Sequence, residues 1–230
     1  MAPASPIWEA MTLATWVAAK TKRLQIGHLV LCDAFRHSSV LAKQAVTLAE
    51  VSGGRFELGL GSGSMPDELA DFGFGTATGR ERVAALERTL DDLRRYWADQ
   101  VPRPAQRIPL LLGGRGPRML ELVRRHADWW NLPATHLDDL PRLLPQIGDA
   151  RASIQQMVGF IGDGADADAV IGKSRRRYGQ LGSGLICARA EELIDHFGRL
   201  HGQGAQRFYV WFSDPSPETI AEFAETVISR

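Results

Sequence analysis

Residues 52–75 read SGGRFELGLGSGSMPDELADFGFG and place glycines on both sides of one short apolar run, RFELGLG. Such runs bounded by glycine are typical of strands buried on both faces of a parallel sheet. Gly61 and Gly63 end this run, and the segment GGRG at 113–116 ends another, RIPLLLGG. Glycines there can serve a turn alone, but they also leave backbone N–H groups accessible. The pattern favours a ligand at the ends of both strands.

Apolar strands alternate with helices along the whole chain. Helical periodicity predicts helices at 6–22, 38–52, 79–98, 116–127, 172–179 and 189–201 and a closing helix from Ser216. Strand patterns occur at 23–31, 55–61, 107–114, 127–133, 151–162 and 206–213. Each crossover helix returns the chain to the same edge of the sheet, so the strands must pair in parallel. The prediction is an α/β fold with about six parallel strands, in a single domain covering residues 1–230.

Composition narrows the function classes. The 27 basic and 27 acidic residues balance, which gives no reason to expect nucleic acid or an anionic membrane as partner and favours a small molecule. The apolar segment 10–19 is too short to span a bilayer. Cys32 and Cys187 have neither metal-ligand nor disulfide spacing, so no metal site is predicted. No basic stretch precedes an apolar core at the N-terminus, which predicts a cytoplasmic location.

Neither glycine cluster matches a common nucleotide-binding motif. GSGSMP at 61–66 lacks the third glycine of GxGxxG, and GGRGP at 113–117 lacks the lysine and hydroxyl residue of a P-loop. A dinucleotide fold and a P-loop are therefore disfavoured.

Several motifs nevertheless follow the order found in one known family. They are Thr21 to Arg23, Arg36-His37, Leu41-Ala42, Ser52 to Arg55, Leu58 to Gly63, Glu68, Phe72-Gly73, and IPLLLGGRGPRMLELVRRHADWWN at 108–131. Together they resemble the luciferase-like monooxygenases, in particular the branch that uses a flavin or the deazaflavin coenzyme F420. Ser38 replaces the proline usual after the Arg-His pair.

The resemblance implies a TIM-barrel-like (β/α) fold of the bacterial luciferase type, with F420 or FMN bound at the carboxyl ends of the strands. In this family a bulge in the strand matching 23–31, commonly with a non-prolyl cis peptide, backs the cofactor ring. The corresponding bond here would fall near Leu29-Val30. The resemblance does not separate F420 from FMN.

It also implies which residues contact the cofactor: Leu29, Val30, Gly61, Ser62, Gly63, Gly113, Gly114, Arg115 and Gly116. Ser62 and Gly63 match a loop beside the ribityl and phosphate region. The segment 113–116 matches a loop that presents N–H groups at a helix N-terminus to the phosphate, with Arg115 or Arg118 adding positive charge.

No catalytic residue is assigned. His28 and His37 lie near the expected site, but lone histidines are more often packing or surface residues. Trp129 and Trp130 are interpreted as core residues. Ser64 stands where some deazaflavin dehydrogenases carry a glutamate acid.

The family's opening strand, helix and second strand have no counterpart before Pro6. A sheet without them would have two unpaired edges, and such edges are normally covered. We therefore expect a homodimer that buries the first helix and the strand at 23–31 at or near its interface. The function expected is an oxidoreductase or monooxygenase acting on an organic substrate. The alternative is a non-catalytic flavin-binding or structural subunit.

Overall fold

The computed structural model describes residues 8–229 of the 230-residue chain. Its contacts divide it into two compact units, the first ending at Trp129 and the second beginning at Trp130. Within residues 8–229, no helix combines the length and the apolar character needed to cross a bilayer.

The first unit alternates strands and helices. Its elements are α1 (Ala10–Lys20), β1 (Ile26–Gly27), β2 (Leu31–Cys32), a 3-10 turn (Asp33–Phe35), α2 (Ser38–Val51), β3 (Phe56–Gly61), α3 (Pro66–Asp71), α4 (Gly79–Asp99), β4 (Leu110–Gly113) and α5 (Pro117–His126). The first predicted helix is confirmed as α1, and its predicted start at Pro6 lies outside the described residues.

The strands of this unit pair in parallel, as predicted. β1 and β2 both pair with β3, with Ile26 opposite Phe56 and Leu31 opposite Leu60. β3 pairs in turn with β4. The predicted strand at 23–31 therefore consists of two short pieces that share one partner. The peptide bond between Leu29 and Val30, which lies between the two pieces, is cis.

The turn between α2 and β3 depends on two glycines. Gly53 and Gly54 have φ values of 65° and 81°, a backbone region that residues other than glycine rarely adopt. This backbone turn ends α2 and directs Arg55 back toward α1. The Arg55 guanidinium donates to the carbonyl oxygens of Ala18 (3.0 Å) and Leu24 (2.7 Å). The SGGR motif thus joins the end of one helix to the end of another.

Helix α4 begins with reciprocal side-chain caps. The Thr78 hydroxyl accepts from the backbone N–H of Glu81 (3.3 Å), and the Glu81 carboxylate accepts from the backbone N–H of Thr78 (2.7 Å). The buried face of α4 carries Leu86, Leu90 and Leu93, each with no exposed surface. The apolar stripe read from the sequence is therefore the face that enters the core.

The second unit continues the alternation. Its elements are β5 (Trp129–Pro133, which begins at the unit boundary), a 3-10 segment (Ala134–Asp139), α6 (Leu140–Leu143), a 3-10 turn (Leu144–Gln146), β6 (Arg151–Phe160), α7 (Ala167–Tyr178), a 3-10 segment (Gly179–Gly184), β7 (Leu185–Ala188), α8 (Ala190–Gly202), β8 (Ala205–Phe212), α9 (Pro217–Phe223) and a π-helical turn (Ala224–Ile228).

Strand β6 organises this unit, since it pairs in parallel with both β7 and β8. Its end packs into an apolar cluster, in which Phe160 contacts Phe223 and Val158 is fully buried. All six strands predicted from the sequence are present, and the α/β class is confirmed. The four-residue strand β7 was missed, because it is short and follows the glycine-rich segment Gly179–Gly184.

Candidate functional site

Parallel register brings three of the predicted site segments to one edge of the sheet. Cys32 at the end of β2 lies opposite Gly61 at the end of β3. Leu60 lies opposite Leu112, so Gly113 stands in the next row of β4. The carboxyl ends of β2, β3 and β4 therefore lie side by side. Ligands of parallel α/β folds bind at this edge of the sheet.

Two of the glycines in β3 make room for the neighbouring chain segment. A Cβ added at Gly59 would lie 1.7 Å from the His28 carbonyl oxygen, and one added at Gly61 would lie 2.7 Å from Val30 Cγ2. The segment between β1 and β2 thus packs directly on a surface of β3 that has no side chains. Val30 lies on this surface and is 37% exposed, so it presents an apolar surface at the strand ends.

The loop after β4 is open toward the solvent. A Cβ at Gly113 or Gly116 would have no heavy atom within 4 Å. Gly116 is the N-cap of α5, and no side chain accepts from the first N–H groups of that helix. This open loop fits an anionic group such as a phosphate. Two of its glycines have no close neighbour, and a ten-residue helix starts there.

Two arginines, Arg115 and Arg118, lie in or beside this loop. Arg115 is exposed, whereas the Arg118 guanidinium pairs with the Glu87 carboxylate at 2.9 Å. The pKa of Glu87 is lowered by its hydrogen bonds from Arg118 and Arg125. Arg118, one of the two arginines proposed to add positive charge, thus forms an ion pair with α4.

The loop after β3 is held by an arginine from α4. Arg82 Nε donates to the carbonyl oxygen of Gly63 at 3.2 Å. A Cβ at Gly63 would lie 3.0 Å from Cys32 Sγ. Burial raises the pKa of the Cys32 thiol, which therefore stays protonated. Gly63 is thus held in place by other parts of the chain at the end of β3.

The sequence analysis did not single out Asp33, which follows β2 directly. The residue is 7% exposed, and its Oδ1 has no hydrogen-bond partner among the described residues. Burial raises the pKa of this carboxyl group, although a hydrogen bond with Thr89 acts in the opposite direction. A buried carboxyl group with a raised pKa at the edge of a ligand site is a candidate for proton transfer. The only signal for this residue in the sequence is an isolated acidic residue directly after an apolar strand.

The shift at Asp33 gives a pH dependence. Because burial raises the folded pKa above the ordinary value of 3.8, Asp33 supports folding while protonated and loses that contribution as the pH rises through its folded pKa. Asp33→Asn keeps a neutral side chain at every pH. We expect this variant to gain stability relative to the wild type from about pH 4 upward, as measured by urea unfolding at a series of pH values.

Asp149→Asn, at an exposed carboxylate, is the matched control and should show no such trend. A stability difference for Asp33→Asn that stays constant with pH would contradict the assignment.

The histidines and tryptophans considered in the sequence have structural contacts. His28 is half-buried, packs edge-on against Phe56, and has Nε2 3.3 Å from the Ala10 carbonyl oxygen. Burial lowers the pKa of His28, which favours the neutral ring. Trp129 and Trp130 are 5% and 0% exposed, so their interpretation as core residues is confirmed.

Aromatic side chains form an exposed apolar surface beside these strand ends. The ring of Phe35, in the turn after β2, lies 5.8 Å from that of Phe72 and 5.1 Å from that of Phe74. Phe72 and Phe74 follow α3 and are 67% and 47% exposed. Such a surface can receive an apolar part of a ligand.

The sequence profile of the luciferase-like monooxygenases matches residues 2–160. An F420-dependent glucose-6-phosphate dehydrogenase from Amycolatopsis mediterranei is 33% identical over an alignment of 129 residues that covers 49% of this chain and 39% of that protein. A 4-hydroxyprotoasukamycin monooxygenase from Streptomyces nodosus subsp. asukaensis is 32% identical over 125 residues, or 54% of this chain and 28% of its own. The match thus spans less than half of either relative.

Solved structures resemble the chain over nearly its whole length. An F420-dependent secondary alcohol dehydrogenase in complex with an F420-acetone adduct has a TM-score of 0.85 and 16% identity, covering 99% of this chain and 86% of that one. A monooxygenase from Streptomyces bottropensis has a TM-score of 0.80 and 18% identity, with 96% and 82% covered. These likenesses confirm the predicted TIM-barrel-like (β/α) fold.

Proposed function

This chain belongs to the luciferase-like monooxygenase family, and we propose that it is an oxidoreductase that moves a hydride between F420 or FMN and an organic small molecule, or that uses the reduced cofactor and O2 to place one oxygen atom in that molecule and release the other as water. The observation that carries the proposal is the loop Gly113 to Gly116, in which Gly113 and Gly116 face open space at the N-terminus of a helix that has no side-chain cap in the described part of the chain. The names of similar proteins support the same cofactors, because they include F420-dependent dehydrogenases and a monooxygenase.

Each part of the site has a role in this proposal. Gly113, Gly114, Arg115 and Gly116 would hold the phosphate, and Gly61, Ser62 and Gly63 would lie along the chain that links it to the ring. Leu29 and Val30 would back the ring, since Val30 is exposed above the glycines of β3. The bound ring would supply the redox chemistry. The protein would orient it and exclude water, with the buried Asp33 carboxyl group beside the strand ends.

The substrate is proposed only as a class. Exposed Phe72 and Phe74 favour an organic molecule with an apolar part. The named relatives act on chemically different substrates, so their names do not select one for this chain. Because the named relatives are enzymes, a non-catalytic role is not favoured. The single-domain organisation and the cytoplasmic location stay predictions.

Filling the open loop should weaken cofactor binding. Gly113→Val and Gly116→Val each place an isopropyl group where no protein atom lies within 4 Å of the Cβ, so the fold should tolerate them. We expect the Kd for F420 or FMN to rise at least about tenfold, as measured by fluorescence titration. Gly198→Val, in α8 and also without a neighbour within 4 Å, is the control and should bind like the wild type. Unchanged affinity in both loop variants would place the cofactor elsewhere.

We also propose that the chain forms a homodimer through α1. Leu13 and Trp16 lie one helical turn apart on this helix and are 45% and 60% exposed, which leaves an apolar face available to a second copy. Sedimentation at micromolar concentration should give a dimer, and Trp16→Glu should shift it toward monomer. Val51→Glu, at an exposed valine outside α1, should not. A stable wild-type monomer would refute this proposal.

A further inference from the structure

A cavity lies at the other end of β4, away from the loop at Gly113. It has a volume of about 650 Å³ and is bounded by the end of α4, the end of α5 and the segment 103–108, which leads into β4. Because β4 runs from Leu110 to Gly113, this cavity opens near the amino end of the strand rather than its carboxyl end. We call it the arginine cavity, after the three arginines that line it.

The lining of the arginine cavity is strongly biased in charge. It includes Arg94, Arg103 and Arg107 and no acidic residue. Arg94 donates to the carbonyl oxygen of Arg125 at 2.5 Å, and Arg107 pairs with Asp128 from outside the lining. Arg103 has no hydrogen bond or ion pair with any residue in the described part of the chain. One guanidinium with five donors is therefore available to an acceptor that the chain does not provide.

A buried imidazole lines the same cavity. The side chain of His126 has no exposed surface, and within residues 8–229 neither of its ring nitrogens has a hydrogen-bond partner. The nearest carboxylate oxygen, of Asp91, is 4.0 Å from Nε2, which is too long for a hydrogen bond. Burial lowers the pKa of His126, and the charges of Arg94 and Arg125 act in the same direction. A neutral ring keeps one N–H donor, and leaving it unpaired when buried is unfavourable.

The remaining lining is apolar. Trp97 and Ile108 contribute to the wall, and Trp97 Nε1 donates to the Ala42 carbonyl oxygen, which fixes the indole. A cavity with an apolar wall and a few convergent donors is the usual form of a small-molecule site. A simple inorganic ion would use the donors but leave this wall uncovered.

We propose that the arginine cavity binds a small organic anion, a carboxylate or phosphate monoester attached to an apolar group. The Arg103 guanidinium would donate to the anionic oxygens, with Arg94 and Arg107 adding positive charge, and the buried His126 ring would lie behind the cavity wall. The apolar group would lie against Trp97 and Ile108. This site is separate from the strand-end loop and does not depend on the cofactor proposed there.

Phenyl phosphate is a suitable probe, measured by isothermal titration calorimetry on the full chain. We expect saturable binding of one molecule, with the Kd raised about tenfold in Arg103→Gln, because a charge-assisted hydrogen bond is lost. Arg124→Gln removes the same charge from the exposed side of α5 and should leave the Kd unchanged. Gly116→Val should also leave it unchanged, which separates this site from the phosphate loop.

Three results of the calorimetric titrations would overturn the proposal. They are the absence of saturable binding, a Kd that Arg103→Gln leaves unchanged, and equally tight binding of phenol, which has the ring without the anion. A nitrogen-15 spectrum of the histidines gives a second measurement, since the His126 resonances should move on addition of phenyl phosphate. Unmoved His126 resonances at saturation would place the anion elsewhere.

Discussion

Replacing Arg55 by methionine is expected to lower the free energy of unfolding by about 4 kcal/mol, because several carbonyl oxygens lose a charged donor at once. The Arg55 guanidinium donates to the backbone oxygens of Ser52, Ala18, Thr21 and Leu24 at 2.6–3.0 Å. Two of these carbonyls, of Ala18 and Thr21, belong to the end of α1, where no further helical turn can pair them. Methionine retains the apolar stem and removes only the donors.

Urea unfolding of two further variants makes this test specific. Arg55→Lys keeps the charge but loses the planar fork, so it should fall between methionine and wild type. Arg23→Met, at an exposed arginine in the same region, should change stability by less than about 0.5 kcal/mol. If Arg55→Met were as mild as Arg23→Met, the bonds to α1 would contribute nothing measurable.

Replacing Gly59 by alanine is expected to destabilise the fold by more than about 3 kcal/mol, although it adds only one methyl group. The added Cβ would lie 1.7 Å from the His28 carbonyl oxygen and 2.8 Å from the His28 carbonyl carbon. These are backbone atoms, so no side-chain rotation can relieve the contact. The whole segment between β1 and β2 would have to move away from β3.

The control for Gly59 is the same substitution in open space. Gly198→Ala, within α8, has no heavy atom within 4 Å of the new Cβ and should be neutral or stabilising by up to about 1 kcal/mol, since alanine favours helices. Thermal unfolding of both variants measures the difference. Equal melting temperatures would mean that the segment at His28 does not pack on β3 as described.

Hydrophobic periodicity predicted those parts of the structure that residues close together in the sequence determine. Runs such as 55–61 and 151–162 are apolar because both faces are buried, and their alternation with helices required parallel pairing. The strand β7 was missed because it has only four residues, which is too short to show a hydrophobic pattern, and because it follows a glycine-rich segment.

Contacts between distant residues set the limit of that prediction. The prediction that the glycines of β3 serve a ligand stays a prediction, but the structure adds a second reason for two of them, because His28 and Val30 pack on Gly59 and Gly61. No pattern within 55–61 carries this information. Asp33 likewise looks like an ordinary loop acid until the fold buries it. The arginine cavity joins three segments that are separate in sequence, so its charge bias is visible only after folding.

Cofactor binding by the purified wild-type chain tests the central claim most directly. Titration with F420 and, separately, with FMN can be followed by fluorescence quenching, while circular dichroism verifies that the protein is folded. The proposed function predicts saturable quenching with at least one of the two, at a Kd of about 10 µM or below. A folded chain that quenches neither cofactor at concentrations up to about 100 µM would contradict it.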